Sequence, residues 1–126
     1  MGYNRAVAIK VFQYPKCSTC RNALTWLEAE GVAHDKVDIV AHPPTTAQLT
    51  RAAKLAGVSP KKMFNTSGES YRNGDFKTKL ETMTDADALA ALAADGKLIK
   101  RPLVLGDDVA LIGFKPDDWQ AKLRRR

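Results

Sequence analysis

The order of predicted strands and helices restricts the fold more than any other feature of this chain. The apolar segment 6–12 is rich in β-branched and aromatic residues and predicts a buried strand, which must end before Pro15. Apolar residues then recur at helical spacing over 19–30, and Gly31 can supply a left-handed stop. Segment 32–40 alternates partly between apolar and polar residues and predicts a second strand. The chain therefore begins with a strand–helix–strand unit.

A helical block is predicted to follow, over about residues 45–95. Thr45 can cap a helix, with Gln48 completing a capping box three residues on, and Thr84 with Asp87 caps another. Apolar side chains recur at helical spacing after each cap. Between these two helices the composition predicts a turn or short helix from Ser59-Pro60, a loop over 65–75 and a brief helix over 76–81.

The last third of the chain returns to strands. Residues 102–105 and 109–112 are apolar and flank a tight polar turn, Gly-Asp-Asp, which predicts a hairpin. Pro116 suits the first position of a helix, and the two aspartates after it favour the positive end of that helix. We therefore predict a terminal helix from Pro116 through Leu123, following two strands.

The predicted fold is α/β and thioredoxin-like. A strand–helix–strand unit and a strand–strand–helix unit that share one mixed four-stranded sheet make up the thioredoxin plan, here with the helical block inserted between the two halves. A chain of 126 residues fits one domain and buries a core without disulfides. We therefore expect a single domain over residues 1–126.

Composition is that of a globular cytoplasmic protein. Hydrophobic residues make up 44% of the chain and charged residues 27%, which are ordinary values. No apolar run approaches the roughly 20 residues that cross a bilayer. The first residues also lack the apolar region and cleavage site of a signal peptide. We expect a cytoplasmic location and no binding to membranes.

The chain is basic, with a net charge of +6 and a pI of about 9.5, which would suit an anionic partner such as a small oxyanion. Part of the excess positive charge comes from the three terminal arginines, 124–126, and cations are favoured at the C-terminal end of a helix. The lysines elsewhere are scattered, without the interleaved aromatic residues of a nucleic-acid surface. We therefore expect no direct binding to nucleic acid.

The only two cysteines stand three positions apart, in the motif CSTC at 17–20. Cys17 is predicted in the loop after the first strand and Cys20 in the first turn of the following helix. Unpaired backbone N–H groups and the helix dipole favour a thiolate there, and Lys16 and Arg21 act in the same direction. The separation lets Cys20 attack a mixed disulfide formed at Cys17. We predict that Cys17 is the attacking thiol and Cys20 the resolving thiol.

Two other interpretations of the cysteine pair are open from the residues alone. A structural zinc site needs about four ligands, and only His34 and His42 remain to complete one. Their separation of eight exceeds the usual spacing in zinc fingers, so we expect no metal site. The cysteines could also be inert core residues, although buried structural cysteines usually lie within an apolar element.

Three separated segments resemble the arsenate reductase/Spx family. Residues 14–22, YPKCSTCRN, resemble its active-site loop. Residues 100–104, KRPLV, resemble its second signature, and residues 113–116, GFKP, its C-terminal segment. The similarity extends over about residues 6–123 in the same order. This resemblance implies a thioredoxin-like core with a helical insertion.

The resemblance also implies roles for individual residues. Cys17 matches the nucleophilic cysteine of the family. Arg101 matches an arginine that lies beside the nucleophile and binds the oxyanion or stabilises the thiolate. Pro102 matches the cis-proline of thioredoxin-like folds, and Lys115 stands where the family has an arginine. The residues implied to contact substrate are Ser18, Thr19, Arg21, Pro102 and Lys115.

Two functions follow from the resemblance. The first is a thiol-disulfide oxidoreductase that acts on arsenate or on a protein or glutathione disulfide, with no bound cofactor and with glutathione/glutaredoxin or thioredoxin as electron donor. Glutaredoxin-linked arsenate reductases of the family typically lack a second cysteine in the motif, and Cys20 occupies that place here. The second is a redox-sensing regulator, because Spx-type regulators share the two-cysteine motif, bind RNA polymerase and use the disulfide as a switch.

Overall fold

The computed structural model describes residues 9–123 as a four-stranded sheet with helices on both faces. Besides the helices, the chain forms two 3₁₀ turns, at Pro60–Met63 and at Gly96–Leu98. None of the helices in the described range is long and apolar enough to cross a membrane. In chain order the elements are β1 (Ile9–Gln13), α1 (Ser18–Ala29), β2 (His34–Asp38), α2 (Thr46–Ala56), α3 (Glu69–Asn73), α4 (Phe76–Lys79), α5 (Asp85–Ala94), β3 (Leu103–Leu105), β4 (Ala110–Ile112) and α6 (Pro116–Leu123).

The sheet is mixed, with the strand order β2-β1-β3-β4. β1 pairs in parallel with β2 and antiparallel with β3, and β3 pairs antiparallel with β4. Phe12 near the end of β1 lies opposite Leu103 at the start of β3. The loop that leaves β1 therefore lies beside the chain that enters β3. The α/β fold and the mixed four-stranded sheet predicted from the sequence are confirmed.

Alternation along the strands divides the core into two layers. Val11 faces α1 and α6, where it packs with Leu27 and Trp119, all of them fully buried. Phe12 faces the opposite side, where α2 and α5 contribute Leu49 and Leu92 among others. Because side chains alternate across a strand, one short apolar sequence serves both layers.

Capping residues and glycines in the sequence predicted most of the helix ends correctly. Both predicted caps form capping boxes, with Thr45 and Thr84 at the N-cap positions of α2 and α5. Gly31 follows α1 with a φ of +69°, as a left-handed stop requires. Residues 6–8 of the predicted first strand and the terminal arginines 124–126 lie outside the described residues.

The prediction of a loop over 65–75 is wrong in part, because Glu69–Asn73 forms the short helix α3. Polar composition favours a loop, but Tyr71 stacks on Phe76 and meets Phe64 edge to face in an aromatic cluster. Tertiary packing of one aromatic side chain therefore stabilises a turn of helix that local propensity does not favour. The helix α5 ends at Ala94 with Asp95 as its C-cap, and Gly96 begins the next 3₁₀ turn.

Gly96 is required for a different reason, namely close approach of two backbone segments. A Cβ at this position would lie 1.9 Å from the carbonyl oxygen of Ile39, which is itself fully buried. We expect Gly96→Ala to lower the free energy of unfolding by about 3 kcal/mol, since backbone must move to relieve the clash. Urea unfolding followed by circular dichroism measures this loss.

Gly31→Ala is the matched control for this substitution. A Cβ at Gly31 meets open space, so only the left-handed φ opposes it. We expect a cost of about 1 kcal/mol there. If the two variants were equally stable, the close approach of Gly96 to Ile39 would not be the reason that glycine is required at position 96.

Candidate active site

Cys17 caps the N-terminus of α1. Its backbone is extended, with φ −98° and ψ 116°, and its Sγ accepts a hydrogen bond from the backbone N–H of Cys20 at 3.3 Å. This is the position at which a side chain satisfies one of the unpaired N–H groups of a helix. The sulfur therefore lies at the positive end of the α1 dipole, where a thiolate is stabilised.

Two hydrogen bonds to backbone carbonyls hold the loop before Cys17. The N–H of Cys17 donates to the carbonyl of Tyr14 at 3.0 Å, and a guanidinium N–H of Arg21 donates to the carbonyl of Pro15, also at 3.0 Å. Pro15 has no N–H and a restricted φ, so it suits the turn between strand and helix. Together these contacts present the sulfur of Cys17 above the end of β1.

The second part of the site comes from the chain that enters β3. The Arg101–Pro102 peptide bond is cis, as the family resemblance implied. The carbonyl of Lys97 accepts a hydrogen bond of 3.3 Å from the Arg101 guanidinium. The carbon of that guanidinium lies 5.4 Å from the centre of the Tyr14 ring, a cation–π distance. The structure therefore brings Arg101 and Cys17 together from positions 84 residues apart in sequence.

Arg101 retains hydrogen-bonding capacity. Its Nε is buried and has no partner within the described part of the chain. A guanidinium presents five donors in a planar fork that matches an oxyanion or carboxylate. The guanidinium that stabilises the Cys17 thiolate therefore carries one donor that no group among residues 9–123 satisfies.

The environment separates the acidities of the two thiols. Partial burial raises the pKa of Cys17. Hydrogen bonds from the thiol and backbone N–H of Cys20, and the hydrogen bond and positive charge of Arg101, outweigh that effect and lower the pKa of Cys17 below its usual value. Burial, the largest cause, and the neighbouring Cys17 together raise the pKa of Cys20 to about 12, although a backbone hydrogen bond from Tyr14 and the charge of Arg101 act in the opposite direction.

This separation gives the two cysteines different chemistry. Cys17 is half-buried, reachable by solvent and favours the thiolate, which is the nucleophilic form of a thiol. Cys20 is fully buried, protonated at neutral pH and adjacent to the Cys17 sulfur. Neither cysteine is in a disulfide. The arrangement can therefore supply one attacking thiolate, at Cys17, and one protonated thiol, at Cys20, that can react in a later step.

The other residues predicted to contact substrate lie at different distances from this centre. Ser18 and Thr19 occupy the exposed first turn of α1, next to Cys17. Pro102 is buried, and its carbonyl accepts the N–H of Gly113. Lys115 is exposed and lines a groove beside β4 to which no residue of the cysteine loop contributes. Their roles toward substrate stay predictions.

Tyr14 is a site residue that sequence reasoning missed. It belongs to the segment 14–22 that resembles the family's active-site loop, but no role was predicted for it. In the structure its ring contacts Arg101 and its carbonyl accepts the N–H of Cys17. An aromatic residue directly before the loop was the available signal, but nothing local pairs it with an arginine far along the chain. Among residues 9–123 no cluster of three or more histidine, cysteine or acidic side chains could hold a metal ion.

Removing the Arg101 side chain should raise the pKa of Cys17, because both its hydrogen bond and its charge favour the thiolate. The rate of alkylation by iodoacetamide increases with pH as the thiolate forms. In Arg101→Ala this increase should move to higher pH, and the rate at pH 7 should fall severalfold. Peptide mass spectrometry would assign the alkylated residue to Cys17.

Arg72→Ala provides the control, because Arg72 is an exposed arginine whose guanidinium donates to the carbonyl of Ser67, outside the cysteine site. Its alkylation profile should match that of the unmodified protein. A profile for Arg101→Ala that also matches would show that Arg101 does not stabilise the thiolate.

Comparison with known proteins identifies the family. The ArsC family model matches residues 12–122. The uncharacterized protein YusI of Bacillus subtilis is 40% identical over 114 residues, which cover 90% of this chain and 97% of YusI. The global transcriptional regulator Spx of Streptococcus pyogenes is 23% identical over 117 residues, covering 93% of this chain and 86% of Spx.

Solved structures share the fold of this chain. A crystal structure of an ArsC family related protein from Bacteroides fragilis superposes with a TM-score of 0.88 and 41% identity, covering 93% of this chain and 98% of that one. The arsenate reductase from Vibrio cholerae superposes with a TM-score of 0.81 and 27% identity, covering 94% of this chain and all of that one. Residues 12–122, which the family model matches, include both cysteines and Arg101. The chain therefore belongs to the ArsC family.

Proposed function

We propose that this protein is a thiol oxidoreductase in which Cys17 attacks the substrate and Cys20 resolves the product. The observation that carries the proposal is the position of the Cys17 sulfur at the N-terminus of α1, 3.3 Å from the N–H of Cys20 and beside Arg101. Membership of a family that includes arsenate reductases supports it. A cytoplasmic location is part of the proposal, since reducing compartments keep such thiols available.

With a disulfide as substrate, the Cys17 thiolate attacks one sulfur and forms a mixed disulfide, and the other sulfur leaves as a thiolate. Cys20 then loses its proton and attacks the Cys17 sulfur. The Cys17–Cys20 disulfide forms, and the second substrate thiol leaves with that proton. Two electrons have passed from the protein dithiol to the substrate. Thioredoxin or glutathione, as an external thiol, returns them.

With arsenate as substrate, the Cys17 sulfur forms a bond to arsenic, and an arsenate oxygen leaves as water after protonation. Attack of Cys20 on the Cys17 sulfur then breaks the sulfur–arsenic bond, and the electron pair stays on arsenic, which leaves as arsenite. The free donors of Arg101 and of the first turn of α1 suit the arsenate oxygens. Glutathione can replace Cys20 in the second step.

The test is oxidation of NADPH driven by arsenate or by glutathione disulfide. Glutathione with glutaredoxin, and thioredoxin with its reductase, are supplied in separate assays. Turnover of either substrate that depends on this protein supports the proposal and identifies the donor. Absence of turnover with both substrates and both donor systems would contradict it.

A second candidate is a redox-sensing regulator that binds RNA polymerase. It is favoured by the two-cysteine motif together with the similarity to the regulators Spx and MgsR, at 20–24% identity. In that case the Cys17–Cys20 disulfide would alter binding rather than close a catalytic cycle. Stoichiometric, redox-dependent binding to RNA polymerase without turnover would support the regulator over the enzyme.

A further inference from the structure

A groove lies along the outer edge of β4, and the proposed thiol chemistry does not use it. Two adjoining cavities of about 270 and 410 Å³ make up this β4 groove, and they share Val58, Ile112 and Lys115. One wall comes from the end of α2 and the other from α6. No residue of the cysteine loop lines either cavity, nor does Arg101.

The hydrogen bonds between β3 and β4 determine which backbone groups face the groove. The N–H of Gly106 donates to the carbonyl of Val109 at 2.8 Å, and the N–H of Gly113 donates to the carbonyl of Pro102 at 2.9 Å. In an antiparallel pair, the residues that bond the neighbouring strand alternate with residues that do not. Leu111, midway between Val109 and Gly113, therefore bonds β3 as well.

Ala110 and Ile112 must consequently direct their N–H and carbonyl groups away from β3. β4 is the last strand of the sheet, so these groups face the β4 groove. They have no hydrogen-bond partner within residues 9–123. A sheet edge with open donors and acceptors is a template for one more strand.

The surroundings of this edge indicate what kind of strand fits. Leu55 and Val58 on the α2 side are 38% and 36% exposed, among the most exposed large apolar side chains of the described residues. A partner strand with apolar side chains on one face would cover them. Apolar contact and backbone pairing together are the usual basis for binding an extended peptide.

The charge of the groove is strongly positive. Among residues 9–123 a single carboxylate, Asp118, lines it, against four exposed lysines: Lys62, Lys100, Lys115 and Lys122. The opposite edge of the sheet differs, because β2 carries Asp35 and Asp38 beside its one lysine. An acidic strand is therefore attracted to β4 and repelled at β2.

We propose that the β4 groove binds an extended acidic segment of a partner protein, which pairs with Ala110 and Ile112 as an added fifth strand. The segment alternates acidic side chains, which face the lysines, with apolar side chains, which cover Leu55 and Val58. This surface is separate from Cys17, so it serves recognition of a protein partner whether that partner is a substrate or a regulator.

A capped octapeptide of alternating glutamate and valine is the probe, and the full-length protein is observed by NMR. The amides of Ala110 and Ile112 are expected to exchange with solvent in the free protein, since no group within residues 9–123 bonds them. At saturating peptide their exchange should slow by about tenfold or more, because the added strand accepts those hydrogen bonds. An octapeptide of alternating lysine and valine should not slow it. Equal effects of the two peptides, or no change at Ala110 and Ile112, would overturn the proposal.

The double variant K62E/K122E tests the lysines without altering the cysteine site. It should weaken peptide binding about tenfold, since two attractive contacts become repulsive. The control K36E/K77E makes the same change of charge on exposed lysines outside the groove and should bind as the unmodified protein does. Unchanged affinity in K62E/K122E would contradict the proposal.

A different role for these lysines would also overturn it. Lysines beside an edge strand can serve only to prevent pairing between copies of the same chain. In that case K62E/K122E would self-associate in sedimentation experiments, and neither this variant nor the unmodified protein would bind the acidic peptide.

Discussion

Cys17→Ser is expected to reduce turnover of both arsenate and disulfide substrates by about 10³-fold or more, because a serine hydroxyl is not ionised at neutral pH and cannot form the sulfur intermediate. The fold should be unaffected. Serine is a favoured N-cap residue, so its hydroxyl can accept the N–H of Cys20 in place of the sulfur. Steady-state rates and thermal unfolding of the same preparation measure the two effects.

Thr50→Ser is the control, because it places a serine at an exposed position of α2, away from the site, where the hydroxyl can keep its hydrogen bond to the carbonyl of Thr46. Its turnover should equal that of the unmodified protein. If Cys17→Ser kept its turnover while folding normally, Cys17 would not be the nucleophile, and the assigned chemistry would have to be abandoned.

Cys20→Ser has the second largest expected effect. With thioredoxin as donor we expect turnover to fall about 100-fold and a mixed disulfide to accumulate at Cys17, because no thiol remains within reach to release it. Intact-mass spectrometry after mixing with glutathione disulfide detects the adduct. With glutathione as donor the fall should be smaller, since an external thiol can attack the same sulfur.

The high pKa of Cys20 is compatible with this role. Part of the increase comes from Cys17 itself. When Cys17 enters a mixed disulfide it loses its negative charge, so that contribution disappears and Cys20 ionises more readily at the moment when it must attack. The resolving step should therefore accelerate with pH over a range above that of the first step, which rapid-quench measurements at several pH values would show.

Cys20 is fully buried, so a serine there places a hydroxyl in an apolar environment and costs about 1–3 kcal/mol. Cys20→Ala removes the thiol without that penalty and should trap the same adduct. If neither variant accumulated an adduct or turned over more slowly, Cys20 would have no resolving role, and an external thiol would have to complete the cycle in the unmodified protein.

Features that depend on neighbours in sequence could be predicted from the sequence. The caps at Thr45 and Thr84 and the left-handed stop at Gly31 each follow from a few adjacent residues. The same holds for Cys17 and Cys20, because a strand, a proline turn and a helix place them by local geometry alone. The short helix α3 was missed because it depends on Tyr71 packing against aromatic residues outside its own segment.

The amino-acid sequence by itself determined most of the elements, their order and the cysteine pair at a helix N-terminus, since these follow from local backbone preferences and hydrophobic periodicity. Only the tertiary structure decided which distant groups meet. Pairing of β1 with β3 brings Arg101 to Cys17 and Tyr14. Because β4 is an edge strand, the backbone N–H and carbonyl groups of Ala110 and Ile112 have no partner within residues 9–123. The physical reason is that pKa values and free edges depend on distances through space, which no local pattern encodes.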